Sequence, residues 1–593
     1  MAQEIYHRSE WGNPNEQWGN VYLNADLTNE LYKRASEYEN SWVTDQLLNG
    51  VGTKPSIILT PTAYEDGVLN SVKPAKTYSD EITVNGNFDT DSDWSKSNAT
   101  ISGGKGNLDG DGQTSLLWQD ILTNGKTYKA TFTVSDYNEL GEARLINNNG
   151  VAIYTITSNG TFTINFTHSI ANGNFLFRAK SGAIFSIDNV SVKEVTDADF
   201  DFTRGSSATR VNELGLVQDV TDTDLPRINY TNFDYENGEV VPYSGEGSLL
   251  LEGQSTNLFT QSELFNVSNW IKIETIVEAA TITLPNGLSD GYKLFANTTE
   301  GTNHWIEKSP FPTATTGQDY TLSLFVKSAG SDFIQIASST GFPAKYQNFN
   351  ISMGTKANGD ISDSSITDFG NGWYRISVTE TTVSTNARYL IVPILSDGAR
   401  NPQFSGNTDE DGVYIWGAQL EQGSYATSYI PTNGSTVTRL ADVCNNSGSS
   451  DLINSTEGVL YAEISALAND GTVRYFGLND GSNDNRAVFL FDSTANRVRA
   501  IVSSGGTKYV DFNYTVTDLT EFHKIALKYK ADDFALWIDG VERNTDTSGL
   551  TPIGLDNLEF DLNLGGALYA NVKCLAVFKE ALSDTELQKL TTI

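Results

Sequence analysis

Sulfur is almost absent from this sequence. Its 593 residues hold two cysteines and two methionines. Cys444 and Cys574 are too few for a disulfide framework, so a small stapled scaffold is excluded, and both read as structural thiols. Histidine is as sparse: His7, His168, His304 and His523 are scattered, with no metal-ligand spacing between them. No stretch approaches the roughly 18 apolar residues of a membrane span. The opening MAQEIYHRSEWGNPNE has no apolar signal core. Positive charge is short: 39 Lys and Arg stand against 74 Asp and Glu, a net charge of −35. Nucleic-acid phosphates and anionic membranes would be repelled, whereas cations would be attracted. No nucleophile elbow or phosphate loop occurs, and Asp89-Thr90-Asp91-Ser92-Asp93 lacks the Gly and distal Glu of an EF-hand loop.

What is present points to strands. Hydrophobic residues make up 38% and charged residues 19%, a globular rather than disordered balance. Thr, Val, Ile, Tyr and Phe among frequent Gly and Asn predict an all-β chain of tandem β-sandwiches, roughly four domains by length.

In residues 1–80, Leu27, Leu31, Ala35, Tyr38 and Trp42 recur at helical spacing. They predict an amphipathic helix from Asn24 or Asp26 to Asn49-Gly50. Residues 81–196 alternate in period two, as in Phe132/Val134 and Phe162/Ile164/Phe166, with Gly/Asn turns between. Residues 256–440 repeat that plan. Gly125-Lys126-Thr127-Tyr128 with Val134 matches Gly317-Gln318-Asp319-Tyr320 with Val326 at identical spacing, and Phe88-to-Trp94 has its counterpart in Phe265-to-Trp270. Two copies of one sandwich are expected, the second with longer loops. Residues 441–593 carry a cleanly alternating strand at 522–529, an Asp539-Gly540 hairpin turn, and a terminal helix whose Ser583 and Glu586 form a capping box with Leu582 and Leu587 as its staple. Between the copies, residues 197–255 mix Arg204, Arg210 and Arg227 with turn formers and three short apolar runs, at Leu214–Val217, Ile228–Tyr230 and Leu249–Leu251. This reads as an ordered connector pressed on its neighbours, in a mix that favours turns and side-chain-to-backbone hydrogen bonds.

Several phrases carry resemblances. The run TRGSSATRVNELGLV, then PRINY and LLLEGQSTNL, followed by GWYRIS (372–377), WGAQLE (416–421) and YIPT (429–432), resembles a connector of phage tail-fibre and capsid-fibre proteins. That resemblance implies a virion structural fibre or spike on the particle surface, assembled in the host cytoplasm. It further implies that residues 1–80 anchor the chain to other virion proteins and that the chain is a homotrimer or dimer. No long heptad pattern is present to drive such assembly. The opening NGNFDTDSDW and closing FSIDNVSVKEV of 81–196 resemble carbohydrate-binding jelly rolls. In that family the Asp of the last strand helps hold a structural Ca²⁺ beside the first strand. The resemblance makes Asp188 a ligand, with Asn87 and Asp89 as partners. Trp416 stands at the matching place of the second copy, which should lack the site or build it differently. HKIALKY, LWIDG and LSDTELQKL resemble laminin-G or concanavalin-like sandwiches.

Glycan binding is the function these modules imply. Aromatic faces stack on sugar rings, and Trp118, Tyr137, Trp305, Tyr346 and Tyr475 lie in or near loop-like sequence, whereas Trp94, Trp270, Trp373 and Trp537 read as core. Hydrolysis has one candidate, Glu559-Phe560-Asp561-Leu562-Asn563. It resembles the E-x-D-x-E strand of some concanavalin-like glycosidases, but Asn563 cannot serve as the second carboxylic acid. The chain is therefore expected not to be an enzyme.

Overall fold

The computed structural model describes residues 51–59, 72–73, 77–124, 126–146, 152–168, 170–196, 200–223, 225–231, 235–236, 239–240, 246–406, 411–560 and 568–593. The expected helix and most of the anchor lie outside them, as do Gly125 and residues 561–563. Among the described residues the chain is almost entirely β, with one helix, Asp584–Thr591. Residues 73–199 form one compact unit; the described parts of 1–72 and 200–593 form the second.

The first unit is a sandwich of two antiparallel sheets. One runs Ala152–Thr155, Glu142–Ile146, Asn174–Lys180, Ser115–Asp120, Ser95–Ser97. The other runs Gly160–Thr167, Thr127–Ser135, Ile184–Thr196, Lys105–Asp109, Ala99–Ser102, and Thr77–Tyr78 pairs with its long strand. Alternation builds the core: Tyr128, Ala130, Phe132 and Val134 point inward to meet Leu145, Phe175 and Phe177 of the opposite sheet. On the outer side Thr131 and Thr133 pair hydroxyls with Thr163 and Thr161, each at 3.0 Å.

The second copy has the same strand order. Its sheets are Trp270–Ile273, Trp305–Lys308, Tyr389–Ile394, Phe333–Ser338, Tyr346–Asn350, Thr355–Gly359, and Thr275–Thr281, Asp290–Ala296, Gly412–Gln422, Asp319–Ala329, Trp373–Thr381, Asp363–Asp368. The strands Thr355–Gly359 and Asp363–Asp368 are additions, one to each sheet. The repeat extends to single hydrogen bonds. Trp94 Nε1 donates to Asn85 O at 3.1 Å and Trp270 Nε1 to Gln261 O at 3.0 Å. Phe88 and Trp94 rings lie 5.0 Å apart, as do Phe265 and Trp270. The Thr123 N–H donates to the Tyr128 hydroxyl at 2.7 Å, and Thr315 does the same to Tyr320 at 2.9 Å. Trp94, Trp270, Trp373 and Trp537 are all buried, as expected.

The last module pairs the sheet Thr507–Thr515, Arg497–Ser504, Arg486–Phe491, Arg474–Asn479, Asn557–Glu559 with a larger one containing Ala570–Phe578, Glu457–Ala466, His523–Lys530, Phe534–Ile538 and Val541–Asp546. Asp539 and Gly540 both have positive φ, 52° and 75°, matching the expected tight hairpin. The capping box forms, with the Ser583 side chain accepting from the Glu586 N–H, and Leu582 and Leu587 share a buried cluster. Cys444 and Cys574 are buried free thiols.

The larger sheet is completed from elsewhere in the chain. The connector strand Glu246–Leu251 pairs one end of Ala570–Phe578, Leu249 opposite Val572. Ile57–Leu59, from the segment expected to be an anchor, pairs the other end, Ile57 opposite Val577. Asp201–Thr203 pairs Val443–Asn445. The connector arginines combine side-chain-to-backbone hydrogen bonds with buried ion pairs. Arg204 donates to the carbonyls of Ser206, Leu225, Val220 and Asp222 and to Asp442. Arg227 donates to Glu252 and Ser428, pairs with Asp442, and is fully buried. Of the apolar anchors, Leu249–Leu251 and Val217 are buried within the chain, but Leu214 is 48% exposed and packs no interface here.

Candidate functional site

In Ser115–Asp120 the residues Ser115, Leu117 and Gln119 are buried, which turns Leu116 and Trp118 to the outer face of their sheet. Trp118 is half-buried. Its cross-strand neighbours are Ser95 on one side and Leu176 on the other, with Ile146 beyond. The adjacent row reads Ser97, Leu116, Arg178, Arg144. Both arginines reach one carboxylate, Glu142, Arg144 at 3.6 Å and Arg178 closer. Each retains a buried Nε without a hydrogen-bond partner. Trp118 thus lies one row from Arg178 on the neighbouring strand, with Arg144 a strand further on, and the two guanidinium groups share Glu142. Stacking on a sugar ring and forked donation to hydroxyl or carboxylate oxygens are the chemistry such a face offers. The strand Asn174–Lys180 joins Ile184–Thr196 through the tight turn at Ser181 and Gly182, both at positive φ; on this face Leu176 and Ile146 are buried, while Trp118, Arg144 and Arg178 remain partly exposed.

The corresponding face of the second copy is roofed. Trp305 and Tyr346 pack there in one apolar cluster with Phe333, Ala337, Leu390, Val392 and Ile394. Segment 395–404 replaces the tight turn and folds across. Gln335 Nε2 donates to Ala399 O at 3.0 Å, and the Asn401 N–H donates back to Gln335 Oε1 at 2.6 Å. Asn348 Nδ2 donates to Asp397 Oδ1 and Gly398 O, both at 2.8 Å. Gln335 and Asn348 are consequently 0% exposed. Ser95 faces Trp118 and Ile271 faces Glu307, so with Trp94 equivalent to Trp270, Glu307 stands where Trp118 stands. Glu307 is held by Arg388 at 2.5 Å.

The five aromatic candidates do not converge. Only Trp305 and Tyr346 share a cluster. Tyr137 packs its half-buried ring on the first core while its N–H donates to Asn159 Oδ1. Tyr475 packs on Val488, Leu490 and Ile501 in the last module. Arg144, Arg178 and Glu142 were missed in the sequence; the outward position of Arg178 two residues after Leu176 was the available signal.

For calcium, Val190 N–H donates to Gly86 O at 2.8 Å and draws the turn containing Asn87 and Asp89 alongside the Asp188 strand. Asp188 Oδ1 accepts from the Asn189 N–H, and Asn87 Nδ2 donates to Asp89. Among the described residues no group of three or more His, Cys, Asp or Glu side chains could hold a metal ion. Two carboxylates, an amide oxygen and nearby carbonyls are hard donors of the kind Ca²⁺ takes, and water would complete its six to eight oxygens. Glu559 of the glycosidase-like run is 4% exposed and accepts from Asn479 at 2.8 Å and Asn557 at 3.1 Å, a structural role in a strand.

The sequence matches no protein-family model and no curated protein. Among solved structures, the chain is similar to the Ruminococcus gnavus IT-sialidase CBM40 bound to alpha2,3 sialyllactose, with 16% identity and a TM-score of 0.21, over 25% of this chain and 93% of that one. It is similar to the CBM22-1-CBM22-2 tandem domain of Paenibacillus barcinonensis Xyn10C, with 9% identity and a TM-score of 0.20, over 63% and 98%. Mouse laminin alpha1 domains LG4-5 give 10% identity and a TM-score of 0.17, over 55% and 95%. Scores this low add nothing to what the coordinates themselves show: tandem antiparallel β-sandwiches, two of them built to one plan.

Proposed function

We propose that this chain is a phage virion fibre or spike protein that binds bacterial surface glycans through the outer face of its first jelly roll. The carrying observation is the partly exposed Trp118, one row from Arg178 on the same sheet face, with Arg178 and Arg144 both reaching Glu142. The equivalent face of the second copy spends its amides on its own roof, which favours the first copy as the binding module and the second as a support. The fibre identity is supported by the ordered phrases from Thr203 to Thr432 that resemble phage connectors. Attachment of residues 1–80 to other virion proteins, homo-oligomeric assembly, and Ca²⁺ held by Asp188, Asn87 and Asp89 belong to the same proposal.

The test is incubation of the purified chain with host capsular or cell-wall polysaccharide. Retention without released oligosaccharide, lost in Trp118→Ala, is the expected result. Released oligosaccharide would make the protein a degrading tailspike. No retention would make it a decoration protein.

A further inference from the structure

A cavity of about 170 Å³ lies where the connector, the second jelly roll and the last module meet. Arg210 and Glu252 of the connector, Phe325, Phe369 and Arg375 of the jelly roll and Asn571 of the last module all line it. Its volume is comparable to the roughly 150 Å³ engineered cavity that admits a benzene ring, but its wall is charged.

Arg375 is the unusual member. Of its five N–H donors, one is used among the described residues, by Nη2 to Ser323 Oγ at 2.9 Å. Its Nε is buried without a partner, and the guanidinium sits over the Phe325 ring at 5.3 Å. Burial lowers its pKa, only partly opposed by the charges of Glu421 and Glu252, as expected for a guanidinium that no carboxylate touches.

The neighbouring carboxylates are committed elsewhere. Glu252 accepts from Arg227 at 2.8 Å and from Ser428 Oγ at 2.6 Å. Glu421 accepts from Ser255, Gln419 and Thr427. Glu263 takes the Tyr429 hydroxyl and does not line the cavity. Among the described residues, the charged side chains lining the cavity are Arg210, Arg375 and Glu252, and Glu252 is already paired with Arg227. Arg375 therefore lines the cavity with no carboxylate paired to it among the described residues.

We propose that the cavity binds a carboxylate-bearing ligand of about one sugar ring, an acidic monosaccharide or a terminal acidic sugar of a glycan. The carboxylate pairs with Arg375, and the ring lies against Phe369. The planar fork of an unpaired arginine matches a carboxylate in two parallel hydrogen bonds. This site lies in the larger unit and does not depend on the Trp118 face.

The test uses the intact chain and four probes at equal ionic strength: glucuronate, glucose, acetate and inorganic phosphate. Calorimetric titration and thermal shift should show saturable glucuronate binding, none for glucose, and at least tenfold weaker binding for acetate and phosphate. Arg375→Gln should abolish glucuronate binding, and Arg375→Lys should weaken it at least tenfold. Should Arg375→Gln fail to fold, Ser323→Ala, which frees the guanidinium without removing it, should weaken binding several-fold. No glucuronate binding, binding indifferent to all three substitutions, or phosphate binding as tight as glucuronate would each overturn the assignment.

Discussion

Asp188 and Trp416 occupy the same place in the two jelly rolls. Asp188 faces Thr133 and Ser191 faces Thr131, so three steps on one strand oppose two on its partner. Trp416 faces Phe325 and Gln419 faces Ser323, the same bulge. The residue after each has positive φ, 51° at Asn189 and 63° at Gly417. The next donates to the first strand, Val190 to Gly86 at 2.8 Å and Ala418 to Ser262 at 2.9 Å. One backbone device thus carries a half-exposed carboxylate in the first copy. In the second it carries an indole, 1% exposed, packed with Val217 of the connector and with Phe325, Trp373 and Tyr429. The position proposed for a cation in one copy docks the connector in the other.

That difference gives the calcium prediction. Titrating Ca²⁺ into the chelator-treated intact chain should show one site and raise a melting transition. Asp188→Ala should lose both responses. Equal responses in the two proteins would remove Asp188 from the site.

The indole makes a separate prediction. Trp416→Ala should cost about 3–5 kcal/mol, the usual range for a large buried aromatic. Because Val217 loses its packing partner as well, proteolysis near residues 212–217 should accelerate. Urea unfolding and limited proteolysis measure both, and a loss under about 1 kcal/mol would mean that the cluster collapses around the gap.

Much of this fold was legible because strands announce themselves in period two. Tyr128 through Val134 alternate in sequence and in burial, and the duplicated Gly-x-x-Tyr phrases marked two copies of one sheet order. The connector was legible as an ordered segment because turn formers and short apolar runs alternate along it. What sequence could not show was pairing across several hundred residues. Nothing in Ile57-Ile58-Leu59 names Leu575–Val577 as its partner, since any apolar triplet satisfies the same edge. The sites suffered more. Trp118 and Trp305 look alike in sequence, yet three residues, 181–183, link the strands in the first copy, whereas in the second the segment 395–404 folds back over the face. The value of Arg375 lies in partners it lacks, and local sequence does not record these.

The buried network around Arg227 should dominate acid stability. Burial alone would raise the Glu252 pKa, but the charges of Arg439 and Arg227 and the bonds from Ser428 outweigh it and pull it down to about 2. For a depressed carboxylate the stabilisation is complete above its ordinary pKa of about 4.3 and disappears as pH falls toward 2. The larger unit should therefore lose stability across that window. Arg227→Met leaves Glu252 and Asp442 without their shared partner and should cost about 3–5 kcal/mol at pH 7. Denaturant melts from pH 2 to 7 would show it, and an acid limb unchanged in Arg227→Met would contradict the network's role.

His523 should act in the opposite sense. Burial opposes its charge, but the hydrogen bonds from Nδ1 to Asp539 at 2.6 Å and from Nε2 to the Asp518 carbonyl at 2.9 Å prevail, and its pKa is raised. A raised histidine contributes fully below its unfolded value of about 6.5 and loses that contribution as pH rises through the folded value. The last module should thus be slightly more stable at pH 6 than at pH 8. His523→Gln should flatten that slope, as read by thermal melts at the two values; an unaltered slope would assign the difference to another group.

Lys308 should be a destabilising residue that the second jelly roll tolerates. It ends the strand Trp305–Lys308, is 5% exposed, and its ammonium has no hydrogen-bond partner. Among the described residues its ring contact is the face of Trp270, with Nζ 5.2 Å from the ring centre. Cation–π attraction of about 0.5–2 kcal/mol does not repay the lost hydration of an ammonium ion, and burial lowers the pKa to about 8. A lysine depressed in the folded state imposes its penalty fully below pH 8, and the penalty fades as pH rises from 8 to the ordinary value of about 10.4. The jelly roll should therefore gain stability across that alkaline window, where most proteins gain none. Lys308→Met keeps the length of the side chain and removes the charge, so it should stabilise the protein at pH 7 by about 1–3 kcal/mol and abolish the alkaline gain. Melts of both proteins between pH 7 and 10.5 decide it. A less stable Lys308→Met at pH 7 would show that the Trp270 contact outweighs burial after all.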